Sequence, residues 1–158
     1  MADAYDGALM KNALTSFLDA AAGDNVNDVE ADGQTLQAGG FADLVAFVGH
    51  NGLMDMDSSE VSPKGRSIPT GDRPESAVVL ACMSHKYFAA PLASVACPPL
   101  VTTSGLMAPE AYSLDAIVRS WAAGDTPAVT RNKAGDAYAR YQRIAVGAGR
   151  GVFVAGQR

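Results

Sequence analysis

Short apolar runs alternate along this chain with longer segments of helical spacing. The stretch Asp43 to Gly52, DLVAFVGHNG, stays almost wholly apolar until it stops on His50 and a turn-forming Asn51-Gly52. Ala77 to Ala81, AVVLA, repeats that design and stops on Cys82. Pro99 to Thr103 follows Pro98 and ends in Ser104-Gly105. Brief apolar runs bounded by turn formers read as strands buried on both faces. Between them the period changes to that of a helix. Met10, Leu14, Phe17, Leu18 and Ala21 share one helical face, with Gly23 placed to end it. Met83 to Ala90 starts a helix after the second run. Pro109 and Glu110 open another, with Leu114, Ile117, Val118 and Trp121 on its buried face and Gly124 at its close. Thr126-Pro127 begins a further helix, with Ala134, Ala137, Tyr138, Tyr141 and Ile144 on one side, and the tail GAGRGVFVAG reads as a last short strand.

This order predicts an α/β fold, a single domain over 1–158 with a short, mostly parallel sheet flanked by helices. A helix comes before any strand, so either the sheet is small or an amino-terminal strand is lacking. From Asp24 to Gly40 the chain is polar and Gly-rich, read as a loop with a short edge strand near Thr35 to Gln37. The acidic spacing of Asp28-Val-Glu-Ala-Asp-Gly33 is calcium-loop-like, but the twelfth position falls on Gly39 where a bidentate Glu is needed, so a solvated turn is the better reading. Leu53 to Glu75 holds Pro63, Gly65, Pro69, Gly71 and Pro74. That density of breakers excludes a long helix and predicts a loop able to cover whatever lies beside His50.

Composition narrows the partners. With 48% apolar and 18% charged residues the chain is globular in type, and no run approaches a bilayer span. The net charge of −5, without a basic cluster, argues against nucleic acid as a partner. The acidic amino terminus is unlike a secretory signal, so a cytoplasmic location is expected, with Cys82 and Cys97 as thiols.

The chemistry follows from the strand ends. If the first two runs are parallel neighbours, His50 and Cys82 emerge at one edge of the sheet, where open α/β sheets place their ligands. A thiolate is stabilised by a neighbouring imidazole or a helix amino terminus, and the turn at Asn51-Gly52 offers main-chain N–H groups for an oxyanion. Asp55, Asp57 and Glu60 are candidates for attracting a basic substrate side chain or for orienting His50, against the plainer reading of a hydrated loop. Ser104, at the third strand end, is a candidate substrate contact. His85 is an alternative proton acceptor, since it follows Cys82 by three residues on a helix. The spacing of two Cys and two His fits no zinc pattern, and Gly147-Ala-Gly149-Arg-Gly151 precedes a strand where a dinucleotide turn would join strand to helix. Neither a metal nor a cofactor is expected.

The blocks Val48-Gly49-His50-Asn51-Gly52 and Leu80-Ala81-Cys82-Met83-Ser84 resemble those of the caspase-like cysteine peptidases, which include caspases, metacaspases, legumains, gingipains and separases. The second block has the Ala-Cys-x-Ser form of legumain-like members. The resemblance covers residues 41 to 105. It implies a three-layer caspase-like sandwich, His50 as general acid and base, Cys82 as nucleophile, the N–H groups of Gly52 and Cys82 as oxyanion donors, and a peptide or protein substrate. Asn51 follows the His where the family has Gly, and the separation, 82 − 50 = 32 residues, is short for it. The competing expectation is an inactive module of the same fold that serves interaction or regulation. Homodimerisation would accompany a missing edge strand.

Overall fold

A computed structural model describes residues 1–61 and 75–156. At its centre is a four-stranded sheet, β3 (Leu44–Val48), β4 (Ser76–Leu80), β5 (Pro99–Thr103) and β6 (Phe153–Ala155), in that spatial order. β3, β4 and β5 run parallel, and β6 is antiparallel to β5. The helices are α1 (Met10–Ala21), α2 (Ser84–Ser94), α3 (Ala111–Ala122), α4 (Pro127–Gln142) and α5 (Val146–Val152). The fold is therefore mixed α/β with a mostly parallel sheet.

Strand β4 explains how the layers assemble. Successive side chains of a strand point to opposite faces. Ala77 and Val79, with Ala81 just beyond, enter a core shared with Leu14, Phe17 and Leu18 of α1 and Phe88 and Leu92 of α2. Val78 and Leu80 enter a second core with Ile117 of α3, Ala134 and Tyr138 of α4, and Phe153. The sheet is thus the middle layer between α1 with α2 and α3 with α4. Full burial of a side chain such as Leu14, Leu18 or Phe88 contributes roughly 1.5–3 kcal/mol each. The rings of Phe17, Phe47 and Phe88 meet pairwise at 5.7–6.1 Å between centroids, closing the first core.

Several expectations are corrected. β3 is an edge strand and is not buried on both faces: Val45 and Phe47 face α1, while Ala46 and Val48 are exposed. Among the described residues it has one neighbouring strand, β4, so one side of its backbone is covered by the sheet they form. The segment read as a loop with a short edge strand near Thr35 to Gln37 is a separate hairpin: β2 (Gln34–Ala38) lies at that expected strand, and β1 (Asn27–Ala31) forms in place of the expected loop and solvated turn. Its two-residue turn has Asp32 at φ 50° and Gly33 at φ 74°, the positive pair that suits a type I′ hairpin. The tail forms α5 before β6 begins. Val118, Tyr141 and Ile144, expected on buried helix faces, are exposed. Tyr141 instead stacks on Tyr112 with centroids 4.3 Å apart.

The long connection starts with two short 3-10 turns, Gly52–Met54 and Ser58–Val61. Residues 62–74, to which the expected covering loop with Pro63, Gly65, Pro69, Gly71 and Pro74 mostly belongs, lie outside the described residues. Among the described residues no helix is long and apolar enough to cross a membrane.

Candidate active site

Cys82 follows the buried strand β4 and precedes α2. The strand must turn sharply into that helix, and Met83 makes the turn in the left-handed region at φ 52°. A non-glycine residue there costs of order 1–3 kcal/mol and persists only where its surroundings hold it. Two buried hydroxyls do the holding. Ser84 Oγ donates to the Val79 carbonyl at 2.8 Å and accepts from the Thr103 N–H at 2.9 Å. Thr103 Oγ1 donates to the Ala81 carbonyl and accepts from the Ser84 N–H at 3.2 Å. The Met83 N–H adds a bond to the Gly105 carbonyl at 2.8 Å. The backbone on both sides of Cys82 is therefore tied to β5 and the loop after it.

The half-buried sulfur lies against that loop. Cys82 Sγ donates to the Met107 carbonyl and accepts from the Met107 N–H, both at 3.5 Å. The loop is in turn pinned to α4, because the Ala108 N–H donates to the Tyr138 hydroxyl at 3.1 Å.

His50 leaves β3 differently. Its imidazole is exposed, and Nε2 lies 2.5 Å from the carboxylate of Asp55. Asn51 beside it is fully buried. Its Oδ1 accepts from the Leu53 N–H at 3.1 Å, and its Nδ2 donates to the Cys82 carbonyl at 2.6 Å. Asn51 thus caps the 3-10 turn after His50 and bonds that turn to the one bearing Cys82. Gly52 is pressed on α1: a Cβ there would stand 2.6 Å from Met10 Cγ and 3.0 Å from Leu14 Cδ1.

Register relates the two turns. Val48 pairs with Leu80, so His50 and Cys82 each lie two residues past a matched pair in parallel strands. The same parity continues the face of Val48 on one strand and Leu80 on the other. Both residues are therefore delivered to one edge of the sheet. No hydrogen bond joins them: the imidazole is engaged by Asp55 and the sulfur by Met107.

The remaining candidates have definite surroundings. The Gly52 N–H donates to the His50 carbonyl at 3.1 Å, so it is already engaged and does not point outward as an oxyanion donor. The Cys82 N–H donates to none of the described residues. Asp55 is taken up by His50. Asp57 accepts from the Ser59 N–H at 2.8 Å, which holds its carboxyl below the ordinary carboxylate range. Its task there is to cap a 3-10 turn. Ser104 gives its hydroxyl to the Gly151 carbonyl at 2.9 Å and its N–H to the Val152 carbonyl at 2.9 Å, joining the end of β5 to the segment before β6. His85 lies 3.2 Å from Thr102 Oγ1, and Cys97 is buried in the first core.

Sequence reasoning missed Thr103, Met107 and the joining role of Asn51. Thr102-Thr103 at the end of an otherwise apolar run, with Ser84 in the turn, was the available signal for the hydroxyl clamp. Met107 acts through its main chain and leaves no residue-type signal. Among the described residues no group of three or more His, Cys, Asp or Glu is placed to hold a metal ion. No family model, curated protein or solved structure matches the chain.

Proposed function

We propose that the protein is a thiol-dependent hydrolase of caspase-like type, a cysteine peptidase in which Cys82 attacks a peptide or related amide and His50 handles the proton. The observation that carries this reading is the register that sends His50 and Cys82 to one sheet edge, with Asn51 Nδ2 bonded to the Cys82 carbonyl across the two turns. In the reaction, the imidazole takes the Cys82 proton, the thiolate adds to the carbonyl carbon, and the tetrahedral oxyanion faces the Cys82 N–H. Collapse expels the amine with the proton from the imidazole, and water then hydrolyses the thioester. The imidazole must turn from Asp55 toward the sulfur, or bridge the two, to do this. Peptide or protein substrates, no nucleic acid, and a reducing cytoplasmic setting belong to the same proposal.

A second reading is a module of this fold that binds without catalysis. The engaged Gly52 N–H and the absence of a bond between imidazole and sulfur favour it. A thiol-directed electrophile separates the two. The hydrolase reading expects rapid labelling of Cys82 over Cys97, lost in His50→Ala, together with cleavage of a fluorogenic peptide amide that Cys82→Ala abolishes. Slow labelling of Cys82, indifferent to His50→Ala, would establish the binding module.

A further inference from the structure

The geometry points to Asp55 as a positioning residue for His50, one that keeps Nε2 protonated and leaves Nδ1 as the basic nitrogen for Cys82. The inference rests on the proposed use of the imidazole as proton acceptor. A carboxylate has only acceptors to offer, so the 2.5 Å contact with His50 Nε2 requires the proton to be on that nitrogen. In a neutral ring the other nitrogen then carries the lone pair.

The contact is exposed, with 59% and 65% of the two side chains accessible, and an isolated surface pair of that kind specifies little. Here the backbone supplies what the solvent would remove. Both residues belong to one short capped turn. The Leu53 N–H is held by buried Asn51 Oδ1, the Met54 N–H by the Asn51 carbonyl, and the Asp55 N–H by the Gly52 carbonyl at 3.0 Å. Gly52 fixes the same turn against Met10 and Leu14 of α1. The carboxylate is thus carried to the imidazole by a rigid segment anchored on the core. Asp57 and Glu60, the nearby acidic groups, are occupied elsewhere: Asp57 with the Ser59 N–H and Glu60 with Lys11 at 3.2 Å. The sequence-based role of Asp55 as a hold for basic substrates gives way to this one.

The test uses the full chain labelled with 15N-histidine at mildly alkaline pH, where a histidine is neutral. It has two histidines, and a His85→Gln variant assigns His50. Long-range 1H–15N spectra are expected to show His50 as the Nε2–H tautomer in the native chain, a mixture of tautomers in Asp55→Ala, and the native pattern again in Asp55→Glu. The rate of Cys82 alkylation is expected to fall by roughly tenfold in Asp55→Ala, part of the range that a well-placed general base contributes, and to recover in Asp55→Glu. An unchanged tautomer in Asp55→Ala overturns the role of Asp55 even when alkylation depends on His50. Alkylation that ignores His50→Ala overturns the hydrolase reading itself, whatever the tautomer.

Discussion

The turn bearing Cys82 and the turn bearing His50 leave adjacent strands in matched register, yet they are built in opposite ways. The first is buried and tied by side chains distant in sequence: Ser84 and Thr103 close it, and Met107 holds the sulfur. The second has local hydrogen bonds, through Asn51 and the pair of His50 with Asp55, with Gly52 seated on α1, and its imidazole is in water. On the proposed chemistry, the attacking thiol is fixed by the fold, while the proton carrier stands in water with Asp55 as its partner. One bond, from Asn51 Nδ2 to the Cys82 carbonyl, links the two halves.

The largest effect is expected from breaking the rigid half. Thr103→Val keeps the shape but removes the hydroxyl that meets the Ala81 carbonyl, the Ser84 N–H and Ser84 Oγ, leaving the first two only their long mutual bond at 3.3 Å, at roughly 1–3 kcal/mol per weakened group. Denaturant unfolding should show a loss of about 2–4 kcal/mol. Cys82 alkylation should also lose its selectivity over Cys97. A loss within about 0.5 kcal/mol, the level of a neutral surface change, would mean that the clamp does not hold the turn.

Cutting the link comes next. Asn51→Ala removes one buried acceptor and one buried donor, and unfolding should register a loss of about 1–3 kcal/mol. The specific signature is kinetic: alkylation of Cys82 should become as slow as in His50→Ala while Cys82 stays accessible. Retention of the native rate would show that the two turns find each other without Asn51.

Acid should act elsewhere, and so sharpen the contrast by exclusion. The Asp136 carboxyl is held below its ordinary value by hydrogen bonds from Arg150, and Asp125 by Lys133 and Ser120. These groups join α4 to α5 and close the turn between α3 and α4. A carboxyl whose pKa is lower folded than unfolded contributes stability above the unfolded value, near 3.8 here, and loses it as pH falls through the folded value. Stability should therefore drop below about pH 4, and Asp136→Asn should flatten that drop. A drop of undiminished size in Asp136→Asn would contradict this assignment.

Legibility divides along the same physical line. Buried strands such as β4 and β5 were readable because continuous apolar runs have few other uses, and α1 because its apolar period is that of a helix. β3 was over-read: LVAFV looks the same whether one face is covered or two, and only the sheet order decides. The β1–β2 hairpin carried a local signal in Asp32-Gly33, a strong two-residue turn, but its strands are mostly polar, with Val29 and Leu36 as their only large apolar residues, and lack an apolar face to announce them. α5 ran against propensity, since Gly147, Gly149 and Gly151 disfavour a helix. Close packing requires one of them: a Cβ on Gly149 would stand 2.5 Å from the Gly135 carbonyl oxygen of α4, whereas one on Gly147 or Gly151 would meet nothing within 4 Å. At the site, His50 and Cys82 were legible as polar ends of apolar runs. The role of Asn51 was not, because a buried amide between two turns is defined only by tertiary contact.

Disulfide trapping tests most directly whether one sheet edge brings residues 50 and 82 together. Neighbouring strands lie about 4.8 Å apart, inside the Cα separation a disulfide spans. In a His50→Cys chain that also carries Cys97→Ala, mild oxidation is expected to join the new cysteine to Cys82 within one molecule. The product should lose two hydrogens, resist thiol labelling, and revert on reduction. Two thiols that remain open to labelling under oxidation, with the chain still folded, would contradict the shared edge and the chemistry built on it.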